Sequence, residues 1–246
     1  MKFFNWKIQL SIALIGLSLV FYLLNYLVFR DVGYMSRLFL GQLGFLPISV
    51  LLVTIILNQL LGQRAKAAKL AKLNMVIGAF FSEVGMTLLR TLSAWDRHLP
   101  DFQPQVAHLS HWTAPDFVRF SNGLSEDNFH ILLKGGDLET LRDFLTQKRD
   151  FFMRLLENPN LLEHDSFSNL LLAVFHLTEE LAHRTDLSRL TAADREHLAG
   201  DVKRVYLLLI KEWLAYMSHL QSRYPYLFSL ALRTNPFDPF ATPEIK

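Results

Sequence analysis

The sequence predicts a mainly α protein, a two-helix transmembrane hairpin followed by a cytoplasmic α-helical bundle. Three observations predict it: two long uncharged apolar runs near the N-terminus, a basic cluster directly after the second run, and apolar residues recurring at spacings of three and four through the remainder. The expected organisation is a hairpin over residues 1–62, a bundle over 63–233 and a Pro-containing tail over 234–246.

The first run, Ile8 to Phe29, carries no charge. At about 1.5 Å of rise per residue it is long enough to cross a hydrocarbon core of about 30 Å. A cleaved signal peptide is the competing reading, since Lys2 and Lys7 precede the run. The run is too long for a signal h-region, however, and exits through Tyr26, Leu27, Val28, Phe29 and Arg30 rather than through small residues. The second run, Leu38 to Gln63, is also uncharged; Pro47 sits near its expected start, where a missing N–H costs least.

Basic residues set the expected orientation, because Lys and Arg near span ends stay on the cytoplasmic side. Lys2 and Lys7 precede the first span, while Arg64, Lys66, Lys69 and Lys72 follow the second and can meet anionic lipid headgroups. The expected location is therefore the cell inner (cytoplasmic) membrane, multi-pass, with both termini cytoplasmic and a short external loop from Arg30 to Arg37. Beyond Lys72 acids outnumber bases, and no basic stripe interleaved with aromatics appears, so a nucleic-acid partner is set aside. With no cysteine, neither a disulfide framework nor a thiolate metal site can form.

After Gln63 the helix is expected to continue to about Leu92, with Leu73, Ile77, Phe80, Val84 and Leu88 on one face. Pro100 and Pro104 mark Trp95 to Trp112 as a packed connection. Thr113-x-x-Asp116 opens the next helix as a capping box, and Gly135 and Gly136 close that region. A helix from Asp137 then bears Leu138, Leu141, Leu145, Phe152 and Leu155 until Asn158 and Pro159 stop it. Another spans about Ser166 to His183. The last starts at Thr191-x-x-Asp194 and runs to about Arg223 along a stripe of Leu198, Val202, Val205, Leu209, Trp213, Tyr216 and Leu220. Sustained period-two alternation is absent, so no sheet is expected.

Several strings carry a resemblance: Lys72-Leu73-Asn74-Met75-Val76-Ile77-Gly78 with Phe81-Ser82-Glu83-Val84-Gly85, then Glu157-Asn158-Pro159-Asn160-Leu161-Leu162, and Tyr224-Pro225-Tyr226-Leu227-Phe228 leading to Arg233-Thr234-Asn235-Pro236-Phe237. They resemble a group of uncharacterised prokaryotic membrane proteins with two transmembrane helices and a helical cytoplasmic domain. The resemblance covers nearly the whole chain. It implies membership, and it supplies no activity, cofactor or catalytic residue.

The local pattern closest to chemistry is His176-x-x-Glu179-Glu180-x-x-His183. Groups three and four apart share a helical face, and helical bundles use such pairs to hold divalent metals. Leu170, Val174, Leu177 and Leu181 project to the opposite side, which favours a solvated face over a metal site. A dimetal centre would need carboxylates from other helices, and Glu83 and Glu212 are the ones considered. Glu83 itself reads as a salt-bridging residue near Arg90 at the edge of the apolar face.

Val32-Gly33-Tyr34 matches the core of a potassium filter but lacks the preceding pore helix. Neither span contains an acid or base, which argues against transport, and Asn25 and Asn58 are expected to make interhelical hydrogen bonds. There is no Gly-rich phosphate loop, no G-x-S-x-G elbow and no H-E-x-x-H.

The favoured function is therefore a membrane-anchored, non-catalytic interaction or scaffold protein. Membrane lipids and a homo-oligomer or other protein partner are expected, and no cofactor. The alternative is a metal-dependent enzyme or sensor on the His176 to His183 face. Trp213, Tyr206, Leu214 and Met217 widen the apolar sector of the last helix beyond one stripe. They are the candidate interaction residues, with cover by the Tyr226 to Leu232 segment as the competing account.

Overall fold

The computed structural model describes residues 2–133, 137–158, 161 and 164–244. Gly135, Gly136 and Pro159, expected as helix stops, lie outside these, as do the side chains of Arg64, Lys66 and Lys69. The chain divides into two compact units, Met1–Lys66 and Ala67–Lys246.

The first unit holds α1 (Lys2–Phe29) and the N-terminal part of α2 (Val32–Phe80). Only Arg30 and Asp31 separate the two helices. Arg30 takes a left-handed φ of 50° while Asp31 Oδ1 accepts the Tyr34 N–H at 2.9 Å, so a carboxylate caps the start of α2. This cap shortens the expected external loop to two residues and winds Val32-Gly33-Tyr34 into the first helical turn. Pro47 lies well inside α2 rather than near its start. A cross-helix hydrogen bond runs from Tyr22 Oη to Gln42 Oε1 at 2.9 Å; Asn25, expected to make one, leaves its Oδ1 without a partner. Ile8–Phe29 and Val32–Gln63 each have mean hydropathy 2.2, and their most apolar windows are 0% buried. A third stretch, Leu70–Ser93, is also long and apolar enough to cross a membrane, but 44% of its window is buried within the second unit.

In the second unit a π-turn, Phe81–Gly85, follows α2 and leads into α3 (Met86–Ser93), with the Met86 N–H donating to the Phe81 carbonyl. The extra residue per turn rotates the apolar face and buries both Phe80 and Phe81. Phe80 meets Phe167 edge-on at 5.3 Å, and Phe81 stacks on Tyr216 at 5.3 Å.

The expected connection from Trp95 to Trp112 is instead largely helical. α4 (Leu99–Val106) takes Pro100 in its first turn, where the missing N–H has no intrahelical partner to lose. α5 (Ala114–Gly123) starts at the Thr113–Asp116 capping box, in which the Thr113 N–H donates to Asp116 Oδ2 at 2.8 Å. The helix expected from Asp137 to Asn158 is two helices, α6 (Asp137–Gln147) and α7 (Arg149–Leu156), broken at Lys148. The stripe survives the break because Leu145 and Phe152, seven residues apart, remain on the buried side. Among the described residues no strand forms; Asp96 and Ile131 make an isolated antiparallel bridge.

α8 (Asp165–Ala182), α9 (Ala192–Arg223) and α10 (Pro225–Arg233) complete the bundle. α9 is its axis: α3, α5, α8 and α10 all pack on it. The tail after α10 is not a free extension. Asn235 and Phe237 are each 1% exposed. Asn235 Nδ2 donates to the Val106 carbonyl at 2.7 Å while its Oδ1 accepts the Phe237 N–H at 3.0 Å. Phe237 then packs edge-on against Trp213 at 5.1 Å and against Phe102 at 6.0 Å.

Gly85 is required by close approach: a Cβ there would lie 2.5 Å from Phe81 Cδ1 and 3.1 Å from Phe80 Cε1. Because Phe81 is held against Tyr216, it cannot swing away without breaking that stack. Gly85→Ala is expected to destabilise the protein by about 1–3 kcal/mol. Gly123→Ala, where a Cβ meets nothing within 4 Å, is expected to be neutral or stabilising. Urea midpoints of the two variants in detergent check the contrast.

Candidate functional site

The best-defined polar cluster lies where α8 and α9 run side by side. His176 and Glu180 are four residues apart on α8, and His197 and Asp201 are four apart on α9, so each pair occupies one helical face. The helices are antiparallel: His176 meets Asp201, and Glu180 meets His197. His176 Nε2 and His197 Nε2 stand 3.3 Å and 3.4 Å from Asp201 Oδ2. Glu180 lies across from them, with Oε1 3.9 Å from His176 Nε2 and Oε2 3.7 Å from His197 Nε2. Ligand atoms of His176, Glu180 and His197 all fall within 4.8 Å of one another, as a shared metal ion would require.

Two arginines orient the carboxylates. Arg184 donates to Glu180 Oε2 at 2.6 Å and to Asp194 Oδ1 at 2.7 Å. These bonds hold both carboxyls below the ordinary carboxylate range, although burial pushes them up. Arg204 donates to Asp201 Oδ1 at 3.0 Å. Asp201 is 3% exposed, and its other oxygen, Oδ2, is buried with no hydrogen-bond partner.

The structure divides the set expected from α8 alone. His176 and Glu180 enter the cluster. Glu179 turns away to accept from Arg149 Nε at 2.8 Å, and exposed His183 places Nδ1 2.7 Å from the Glu179 carbonyl oxygen. The carboxylates considered as additional ligands are engaged elsewhere. Glu83 pairs with Lys148 at 2.9 Å, not with Arg90, whose guanidinium donates to the Thr234 carbonyl. Glu212 is buried beside Ser166 and His164. The α9 contribution was missed although it had a signal: His197-x-x-x-Asp201 repeats the His176-x-x-x-Glu180 spacing on the neighbouring helix.

The candidate interaction residues are interior. Trp213 and Met217 are 1% exposed, and Tyr206 and Leu214 are 0% exposed. Phe237 covers Trp213, and Phe129 meets Tyr206 at 5.0 Å. Burial, and then Asp96, push the Tyr206 phenol up. The competing account named the Tyr226 to Leu232 segment as the cover; α10, which contains it, does pack on α9, but the rings seen on Trp213 and Tyr206 come from Phe237 and Phe129 outside it. Lys72 is exposed, as a headgroup contact would require. A separate cavity of about 690 Å³ opens between α4 and α5. Of the aspartates that line it, Asp101, Asp116 and Asp127, Asp116 is already committed to capping α5.

These features define a class: a mainly α protein with an exposed apolar N-terminal helix pair and a helical bundle bearing a His–carboxylate cluster between its two longest helices. The chain belongs to the MJ1433 family. Residues 69–233 match the family described as "Uncharacterized protein MJ1433, C-terminal helical domain", and residues 1–61 match "MJ1433, N-terminal helical domain". The chain is 43% identical over 234 residues to "Uncharacterized protein MJ1433" of Methanocaldococcus jannaschii, covering 95% of this chain and 94% of that protein. No solved structure matches.

Glu212 yields a pH prediction. Burial raises its carboxyl above the ordinary value of 4.5, against opposing contributions from Ser166 and His164. A group raised on folding contributes stability that is fully present below its unfolded value and lost as pH rises through its folded value. Glu212→Gln is therefore expected to stabilise the protein more at pH 7 than at pH 4. Urea midpoints of wild type and variant at the two pH values check the sign.

Proposed function

We propose that this is an integral protein of the cytoplasmic (inner) membrane whose two N-terminal helices form a transmembrane hairpin and hold the bundle at the inner face, where it acts by binding rather than by catalysis. The observation that carries this reading is the uncovered apolar surface of Ile8–Phe29 and Val32–Gln63. A Leu, Val or Phe left in water forgoes about 1.5–3 kcal/mol of burial, and these stretches leave them on every side. Hydrocarbon is the solvent that removes that cost.

The polar side chains in these helices suit the same solvent. Ser36, Ser49 and Thr54 each donate to the carbonyl four residues back, at 2.9, 3.2 and 2.7 Å, so the helix satisfies its own hydroxyls. The flanking charges give the orientation, with Lys2, Lys7 and the Arg64, Lys66, Lys69 and Lys72 cluster at the cytoplasmic face and in reach of anionic lipid.

A protein partner or second copy must dock away from Trp213, which the chain itself covers. Tyr226, 71% exposed, and Phe240, 87% exposed, are the most exposed aromatics of the bundle unit among the described residues, and are the side chains such a partner can reach.

Reporter fusions after Lys7 and after Lys246 are expected to be cytoplasmic, with a reporter between Arg30 and Asp31 external. The protein is expected to stay in the membrane pellet through alkaline carbonate. An external C-terminus, or release by carbonate, would reject the proposal.

A further inference from the structure

We propose that His176, His197, Asp201 and Glu180 form a binding site for one divalent transition-metal ion of the zinc type, which ties α8 to α9. The proposal is independent of the membrane reading, since all four residues belong to the bundle unit.

Asp201 Oδ2 is the observation that requires a ligand. A carboxylate oxygen buried without a donor carries its full desolvation cost. Asp201 is 3% exposed, and Oδ2 has no hydrogen-bond partner although two imidazole nitrogens lie within 3.4 Å of it. Neither imidazole makes a hydrogen bond to it. With both imidazoles neutral and carrying their proton on Nδ1, the two Nε2 lone pairs and the Oδ2 lone pair repel one another in the empty site and are drawn together by a shared cation.

The spacing suits the ion class. Donors about 2.0–2.1 Å from a tetrahedral metal stand about 3.3–3.4 Å from one another. The two Nε2 to Asp201 Oδ2 distances are 3.3 and 3.4 Å. Glu180 faces both imidazoles with different oxygens, Oε1 3.9 Å from His176 Nε2 and Oε2 3.7 Å from His197 Nε2, so its side chain must shift to bring one oxygen to the fourth position. Two imidazoles with carboxylates favour zinc and its neighbours over magnesium or calcium, which prefer all-oxygen sites. Two ionised carboxylates would balance the charge of a divalent ion.

The surroundings match a metal site's outer shell. Arg204 takes Asp201 Oδ1 and leaves Oδ2 free, while Arg184 fixes Glu180 Oε2 and is itself braced by Asp194. Such contacts set the orientation of ligating carboxylates. His176 and His197, 47% and 53% exposed at the side chain, give the ion a route in from solvent. Binding would clamp the start of α9 to the end of α8 across the loop from His183 to Thr191.

The test uses untagged full-length protein in detergent, stripped with chelator and then titrated with zinc or with cobalt, whose visible absorption reports tetrahedral coordination. About one zinc per chain should be retained through gel filtration, with an upward shift in Tm. His176→Gln, His197→Gln and Asp201→Asn should each weaken the dissociation constant at least about tenfold. Glu179→Gln and His183→Gln, on the same helix but outside the cluster, should bind as wild type. The two histidines are half-exposed, so their replacement should leave helical circular dichroism unchanged, which separates loss of a ligand from loss of fold. Failure of the wild type to retain zinc at micromolar free metal would overturn the proposal. So would stoichiometric zinc that survives His176→Gln combined with His197→Gln, or zinc lost with His183→Gln.

Discussion

The bundle depends on one constraint: α9 must be covered on nearly every side. It is 32 residues long, so at about 1.5 Å per residue it spans about 48 Å. Its buried residues include Val205, Leu209, Ile210, Trp213 and Leu214, which span about 180° of the helix surface, more than a single packing face can accommodate. Four helices and the tail meet that demand. α8 lies along one side, α10 folds back on another, α3 and α5 supply further contacts, and Phe237 closes over Trp213.

Covering α9 so closely imposes local conditions elsewhere. Tyr216, on its outer edge, is received by a surface that only glycine permits: a Cβ at Gly78 would sit 2.8 Å from the Tyr216 hydroxyl, and one at Gly85 would strike Phe81, which stacks on the same ring. The π-turn between those glycines turns consecutive phenylalanines inward, Phe80 toward α8 and Phe81 toward α9. Asn235 has a comparable role at the other end. It replaces missing backbone partners around the end of α4 and sets the turn that aims Phe237 inward. The polar cluster follows from the same packing, because pairing α8 with α9 in antiparallel register brings two separate His–carboxylate pairs face to face.

Much of this architecture was legible in the chain. Long uncharged runs identified the two apolar helices, since an apolar stretch of that length with no charge is visible in composition alone. The stripes through Leu73 to Leu88, Leu138 to Leu155 and Leu198 to Leu220 marked the buried faces, and the Thr113 and Thr191 caps located two helix starts. Proline misled once, at Pro100, which suggested irregular chain where it opens α4; Pro236 sits in non-helical chain as expected, and the flanking Asn235 and Phe237 enter the core. A proline removes one N–H and fixes one φ; whether it ends a helix or begins one depends on the neighbours that receive the chain.

The limits of local periodicity are clearest at the cluster. The sequence by itself determined the helical class, the apolar pair, the inward stripes and the placing of His176 and Glu180 together, because those features depend on spacing along one helix. Only the tertiary structure decided that Glu179 and His183 leave that set, that His197 and Asp201 join it, and that Trp213 is an interior residue. Those outcomes require two helix faces to be in register. Register is set by the summed packing of α8, α9 and the elements around them, which no repeat within either helix encodes.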